Sequence, residues 1–277
     1  MLDLKNIFSN KISIIGAGKL GQAIAKGFLK SEKIPANQIT LTRRNRKALS
    51  PFKKQGFIVS SDNCDAVSNT NVVIVSVDPQ GMKKLLEEIA PLLITKEHVL
   101  ISTVTGVDIS ELRQSIPNGV PVFRIMPNVA IAIGESMTCI SCDKDNQKYM
   151  SFVNSMFEHV GKTMIIPEDL MGPATSLGAA GLAFFLRAIR AASQGGSEIG
   201  FHAEESITIS AQAAKGAAAL LLERESHPEA EIDTVTTPRG ITIAGLNEME
   251  HQGFSSAMIK GIVTSAEKIN KLLAKKD

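Results

Sequence analysis

The chain has 277 residues, enough for one large domain or two ordinary ones. Lysine and arginine number 30 against 28 aspartates and glutamates, and a formal charge of +2 argues against a strongly basic nucleic-acid binder. Hydrophobic residues at 44% and charged residues at 21% describe a globular chain, and no tryptophan with one tyrosine argues against a stacking platform for single strands.

The first apolar run, residues 11–16 (KISIIG), ends in glycine and leads into a helical pattern from Lys19 to Lys30. Short β-type runs follow at 39–42 (ITLT) and 56–59 (GFIV), then the strongest strand at 71–77 (NVVIVSV), then 98–103 and 121–126. Helical segments fit between them at about 45–55, 62–68, 79–90 and 108–116. Apolar strands alternating with amphipathic helices predict a parallel sheet covered on both faces.

Around residue 127 the character changes. Two late strands are predicted at 136–141 and 162–166, with Asp143 as N-cap of a helix running to about His159. Beyond Pro167 only helices are predicted, near 173–196, 203–225, 238–251 and 255–274. The expected layout is an α/β Rossmann-type domain over residues 1–166 and an all-α domain over 167–277. No segment reaches the ~20 consecutive apolar residues of a membrane helix, and the N-terminus lacks the apolar core of a signal peptide. Three cysteines (Cys64, Cys139 and Cys142) suit a reducing compartment, so a soluble, cytoplasmic protein without membrane or nucleic-acid partners is expected.

Gly16-Ala17-Gly18-Lys19-Leu20-Gly21 is a G-x-G-x-x-G loop between the first strand and the first helix, the context that gives this pattern meaning. Gly16 permits the turn, Gly18 lets a pyrophosphate approach, and Gly21 allows close helix–strand packing. An ordinary glycine-rich turn is the alternative. An NAD-preferring site usually carries a carboxylate at the end of the second strand. Here the chain reads Thr42-Arg43-Arg44-Asn45-Arg46, with three guanidiniums suited to a 2′-phosphate. NADPH is therefore the expected cofactor, with NADH also open. The alternative is a solvated basic turn.

Two later stretches complete the pattern. Met126-Pro127-Asn128 follows the sixth strand, with Gly134-Glu135 beyond it; Asp233 to Leu246 reads DTVTTPRGITIAGL, followed by Gly253-Phe254. In this order and spacing the chain resembles the pyrroline-5-carboxylate reductase family over almost its whole length. The family's M-P-N is matched by Met126, Pro127 and Asn128. Its V-T-S-P-G-G-x-T-I-x-x-L is matched from Val235 to Leu246, except Thr237 for Ser and Arg239 for Gly.

The resemblance implies NAD(P)H-dependent reduction of the C=N bond of 1-pyrroline-5-carboxylate to proline. It also implies a homodimer built through the helical domain, with larger homo-oligomers open. By resemblance, Thr242 orients the imine nitrogen; the candidate substrate-binding residues around it are Thr237, Arg239, Gly240 and Ile241. Val77, Pro79, Met126, Pro127 and Asn128 line the cofactor together with Gly16, Gly18, Lys19, Leu20, Gly21, Arg43, Arg44 and Asn45. The residues themselves read Thr237-Pro238 as N-cap and N1 of a helix, leaving the amides of Arg239 and Gly240 free for a carboxylate. A plain capped helix is the alternative.

Several family positions are altered. S-G-S-G-P-A-Y is here Gly178-Ala179-Ala180-Gly181-Leu182-Ala183-Phe184. M-P-N-T-P is Met126-Pro127-Asn128-Val129-Ala130, and A-V-K-P-Q is Ser76-Val77-Asp78-Pro79-Gln80. Asp78 reads either as a repulsive neighbour of the phosphates or as the cap of the helix from Pro79. Arg239 reads either as a partner for a substrate carboxylate or as a solvated side chain. The rival functions are a reductase of another cyclic imine or small carbonyl compound, and a cofactor-binding paralogue without turnover.

Other signals are discounted. Cys139-x-x-Cys142 lacks the second ligand pair of a zinc site, so no metal is expected. The histidines at 98, 159, 202, 227 and 251 have no ligand spacing and read as surface or loop residues. Lys53-Lys54 and Lys271 to Lys276 read as solvated helix faces, and Ala211 to Leu222 as a helical surface at a subunit interface.

Overall fold

The computed structural model describes residues 2–4 and 9–274. Lys275 and Lys276 of the closing run lie outside the described residues. Eight strands form one sheet in the order β3-β2-β1-β4-β5-β6-β7-β8. They are β1 (Ile12–Ile15), β2 (Ile39–Thr42), β3 (Ile58–Ser60), β4 (Val72–Val75), β5 (Val99–Ser102), β6 (Val122–Met126), β7 (Ser136–Cys142) and β8 (Gly161–Ile165). All eight fall where the apolar runs predict them.

β1 to β6 are parallel, with Ile12 opposite both Ile39 and Val72. The expectation of a parallel sheet is corrected at β7, which runs antiparallel to β6 and carries β8 parallel to itself. Only Pro127 to Glu135 join β6 to β7, too few residues for the crossover that a parallel pair needs.

Both faces of the sheet are packed, which explains the unbroken apolar strands. Val72 and Ile74 of β4 face one core with Ile24 and Phe28, whereas Val73 and Val75 face the other with Leu85 and Leu112. Each fully buried Val, Ile or Phe contributes ~1.5–3 kcal/mol. The helices supplying these side chains are α1 (Lys19–Lys30), α2 (Ser50–Lys54), α3 (Asn63–Ser68), α4 (Pro79–Ile89), α5 (Ile109–Ser115) and α6 (Met150–Glu158). Asp108 caps α5 in a capping box with Glu111. Burial pushes the Asp108 carboxyl up, but the amide of Glu111, the Ser110 hydroxyl and the charge of Arg124 outweigh it and hold it below the usual range.

Asp143 stands at the start of a 3₁₀ turn preceding α6, but its side chain does not cap it. The carboxylate is engaged by Arg113, at 2.9 Å, and by Asn146. A buried arginine on β6, Arg124, pairs with Glu168, which also accepts the backbone amide of Ile109 at 3.2 Å. His98 is another correction: only 4% exposed, its Nδ1 accepts the Ile94 amide at 2.9 Å and its Nε2 lies 3.2 Å from the Val67 carbonyl. It is a structural residue of the core edge.

After Pro167 the chain is helical: α7 (Met171–Ala174), a π-turn (Thr175–Ala180), α8 (Gly181–Glu198), α9 (Ala203–Arg224), α10 (Pro228–Val235), α11 (Ile241–His251) and α12 (Phe254–Ala274). α10 is not foreseen by the apolar pattern; it is short, has Pro228 in its first turn, and its N-cap His227 accepts the Glu229 amide. The chain forms two compact units, Met1–Ala179 with Ala266–Asp277, and Ala180–Ser265. In the second, α8 and α9 pack closely, and a Cβ on Gly196 would come within 2.8 Å of Ser206 Oγ.

The continuous helix Glu168–Glu198 corrects one expectation. It is long and apolar enough to cross a membrane by length and composition, with a mean hydropathy of 1.2, because glycine, alanine and serine separate its leucines and phenylalanines. Only 17% of that apolar window is buried within the chain. Phe185 and Leu186 are among the side chains it exposes.

Candidate active site

The C-terminal ends of the parallel strands carry the glycine loop and the other residues expected at a dinucleotide. Gly16 has φ +83°, and a Cβ there would lie 2.4 Å from Val77 Cγ1 and 2.7 Å from the Ser76 carbonyl. Only glycine fits. Gly21 packs against Ile14, whereas a Cβ on Gly18 would meet only the Gly16 carbonyl, at an ordinary 3.8 Å. α1 starts at Lys19 with no side chain capping it and no acidic residue in its first turn. Its first amides and positive helix end therefore face an open cradle, the geometry that suits a pyrophosphate.

Thr42 closes β2 beside that cradle. Its hydroxyl accepts the Gly16 amide at 3.4 Å and donates to Asn63 Oδ1 at 2.7 Å; its carbonyl accepts the Ala17 amide at 2.8 Å. Where a carboxylate would meet a ribose, this chain turns a buried hydroxyl inward. Arg43 is half-buried, while Arg44 and Arg46 are exposed, and among the described residues none of the three guanidiniums has an ion pair. Asn45 accepts the Lys47 amide at 3.2 Å and caps the turn that follows. Donors able to meet a 2′-phosphate are thus present and unengaged.

Val77 and Pro79 follow β4. Asp78 occupies the N-cap position of α4 and is exposed, but its side chain makes no capping bond. Met126, Pro127 and Asn128 follow β6; Met126 is 5% exposed and Asn128 9%. Asn128 accepts the Ala130 amide at 3.0 Å and donates to the Gly178 carbonyl at 2.9 Å.

The remaining candidate residues lie together in the helical unit, on the turn between α10 and α11. The Gly240 amide donates to the Thr237 carbonyl at 2.9 Å, and Arg239 takes φ +60° inside that turn. A Cβ on Gly240 would lie 2.4 Å from Thr237 Oγ1. This corrects the expected cap: α11 begins at Ile241 with Gly240 as its N-cap, not at Pro238. The Gly240 amide is consumed by the turn, so the first helical amides are those of Ile241, Thr242 and Ile243. Ile241 is 93% exposed and Thr242 half-buried.

The cysteines are not poised as nucleophiles. Burial raises the Cys139 thiol, and burial with the nearby Asp143 pushes Cys142 up to about 11 despite Arg113.

A doubly wound sheet of strand order 3-2-1-4-5-6, a glycine loop opening an uncapped helix and an all-α second region define a Rossmann-type dinucleotide-binding protein with a helical domain. A family model for pyrroline-5-carboxylate reductase dimerisation matches residues 168–272, and one for coenzyme F420-dependent NADP oxidoreductases matches residues 11–106. Pyrroline-5-carboxylate reductase 2 of Dictyostelium discoideum is 46% identical over 97% of this chain and 94% of its own length. Pyrroline-5-carboxylate reductase 1 of the same organism is 48% identical over 98% of this chain, which spans only 51% of that protein. The chain belongs to the pyrroline-5-carboxylate reductase family. Among solved structures, a Plasmodium falciparum pyrroline carboxylate reductase with NADP bound shares the fold, with a TM-score of 0.86 over 96% of this chain and 99% of that one at 22% identity. The Coxiella burnetii enzyme gives 0.84 over 95% and 98% at 24% identity.

Proposed function

We propose that the protein reduces 1-pyrroline-5-carboxylate to proline with NADPH, the last step of proline synthesis. The observation that carries this is the cradle of Gly16, Gly18 and the uncapped α1, flanked by arginines that have no ion pair among the described residues, in a chain of this family. The chain is an NAD(P)H-dependent oxidoreductase. A reduced nicotinamide, when bound, supplies a hydride to the C=N carbon, and the ring nitrogen gains a proton.

The protein supplies position and charge. Gly16, Gly18, Lys19, Leu20 and Gly21 cradle the pyrophosphate, and Arg43, Arg44 and Asn45 meet the adenosine side. Val77, Pro79, Met126, Pro127 and Asn128 wall the nicotinamide side. The Thr242 hydroxyl orients the imine nitrogen. The substrate carboxylate is held at the start of α11 by the Ile241 amide and the Arg239 guanidinium, with Thr237 and Gly240 shaping the turn. Residues 1–166 act as the dinucleotide domain and 167–277 as the helical dimerisation and substrate domain.

A homodimer follows from the apolar side chains that the helical unit leaves uncovered, Phe185, Leu222 and Ile259 among them. Three free thiols fit a cytoplasmic, reducing setting. The test is product analysis: proline formed in step with NADPH consumed supports the reading. A chain that binds NADPH but turns over a different cyclic imine, and not this one, replaces it with the rival reductase.

A further inference from the structure

The helix that leaves the sheet is irregular where it matters. α7 passes into the π-turn Thr175–Ala180 before α8 begins at Gly181. A π-turn moves amide bonds from the fourth to the fifth preceding carbonyl. Within it, the Gly178 carbonyl accepts Asn128 Nδ2 at 2.9 Å, across 50 residues of sequence.

Asn128 is held so that it can do only this. Its Oδ1 accepts the Ala130 amide at 3.0 Å, and its own amide donates to Ser136 Oγ at 3.1 Å. With the oxygen fixed on an N–H, the side-chain amino group must face Gly178. No atom lies within 4 Å of a Cβ built on Gly178, so side-chain packing does not hold that residue in place.

The location gives the bond a consequence. Residues up to Ala179 belong to the sheet-bearing unit, and Ala180 begins the other. Met171 packs with Met126 and Cys139, and Ala174 and Ala179 lie beside them. The π-turn is therefore the passage from one unit to the next.

We infer that Asn128 is a positioning residue: its side-chain amide latches the π-turn at Gly178 to the loop after β6 and so fixes the shape of that loop. The link to catalysis rests on the proposed function, in which that loop walls the nicotinamide side.

The experiment uses the full chain with two variants. Asn128→Ser keeps an acceptor for the Ala130 amide but cannot reach Gly178. Asn128→Asp is isosteric and turns an oxygen toward the Gly178 carbonyl, so it covers the case in which the serine variant fails to fold. Amide hydrogen exchange is read over residues 178–184, with the KM and kcat for 1-pyrroline-5-carboxylate.

Both variants should change exchange at 178–184 by about tenfold, roughly the loss of one hydrogen bond. β1 and β4 should exchange as in the parent, and kcat/KM should fall by about tenfold. Unchanged exchange at 178–184, or exchange raised equally in β1 and β4, would overturn the latch. If the parent protein turns over no 1-pyrroline-5-carboxylate, the proposed function fails, while the exchange data still decide the latch.

Discussion

The hydroxyl of Thr42 lies 3.4 Å from the amide of Gly16, and this contact ties the end of the second strand to the first glycine of the phosphate loop. It also removes the one side chain at the strand end that could have met a ribose hydroxyl. Recognition of the adenosine side is left to Arg43, Arg44 and Arg46, which have no carboxylate partner among the described residues.

Arg44→Ala should therefore weaken NADPH by about tenfold, the worth of one charge-assisted hydrogen bond at an exposed site, and change NADH by less than about twofold. Titration of the two cofactors by protein-fluorescence quenching checks this. Equal loss for both would remove the arginines from 2′-phosphate reading.

Arg239 stands in the left-handed region, at φ +60°, where the resembling motif has glycine. A non-glycine residue there costs on the order of 1 kcal/mol. Arg239→Gly should raise the melting temperature by a few degrees, since ~1 kcal/mol corresponds to ~2–4 °C in a chain of this size. It should also raise KM for the imino acid, because the guanidinium is lost. A raised melting temperature with an unchanged KM would leave Arg239 as a solvated side chain.

How much was legible in the sequence depends on the kind of signal. The strands were, because a sheet packed on both faces needs unbroken apolar runs such as Val72 to Val75. The glycine loop was, because Gly16 has no room for a Cβ. The cap at Thr237-Pro238 was misread because one motif, a hydroxyl residue before proline, serves both a helix start and a tight turn. The choice fell to the turn once Gly240 bonded back to Thr237. The π-turn left no trace in composition, since Gly178 to Gly181 suits either helix. The hydrogen bond it receives at Gly178 comes from Asn128, 50 residues away in sequence.

Thr242→Ala should lower kcat by about a hundredfold, within the range for a group that positions or relays a proton, with NADPH affinity unchanged. Single-turnover kinetics with separately measured cofactor binding would show it. An unchanged kcat would remove Thr242 from the mechanism.

The Asp108 cap gives a pH signature. Its carboxyl titrates below the ordinary aspartate value, so its stabilisation is fully present above that value and is lost as pH falls through the lower folded one. Asp108→Ala should cost about 1 kcal/mol near neutrality. The gap between variant and parent melting temperatures should stay constant down to about pH 5 and close in stronger acid. A gap that persists in acid would mean the carboxylate is not the stabilising group.

The most direct measurement is NADPH oxidation by the purified chain with 1-pyrroline-5-carboxylate, run beside NADH and with proline quantified. NADPH should be lost rapidly and matched one-to-one by proline, with slower turnover on NADH. NADPH bound in titration but neither oxidised nor accompanied by proline would contradict it.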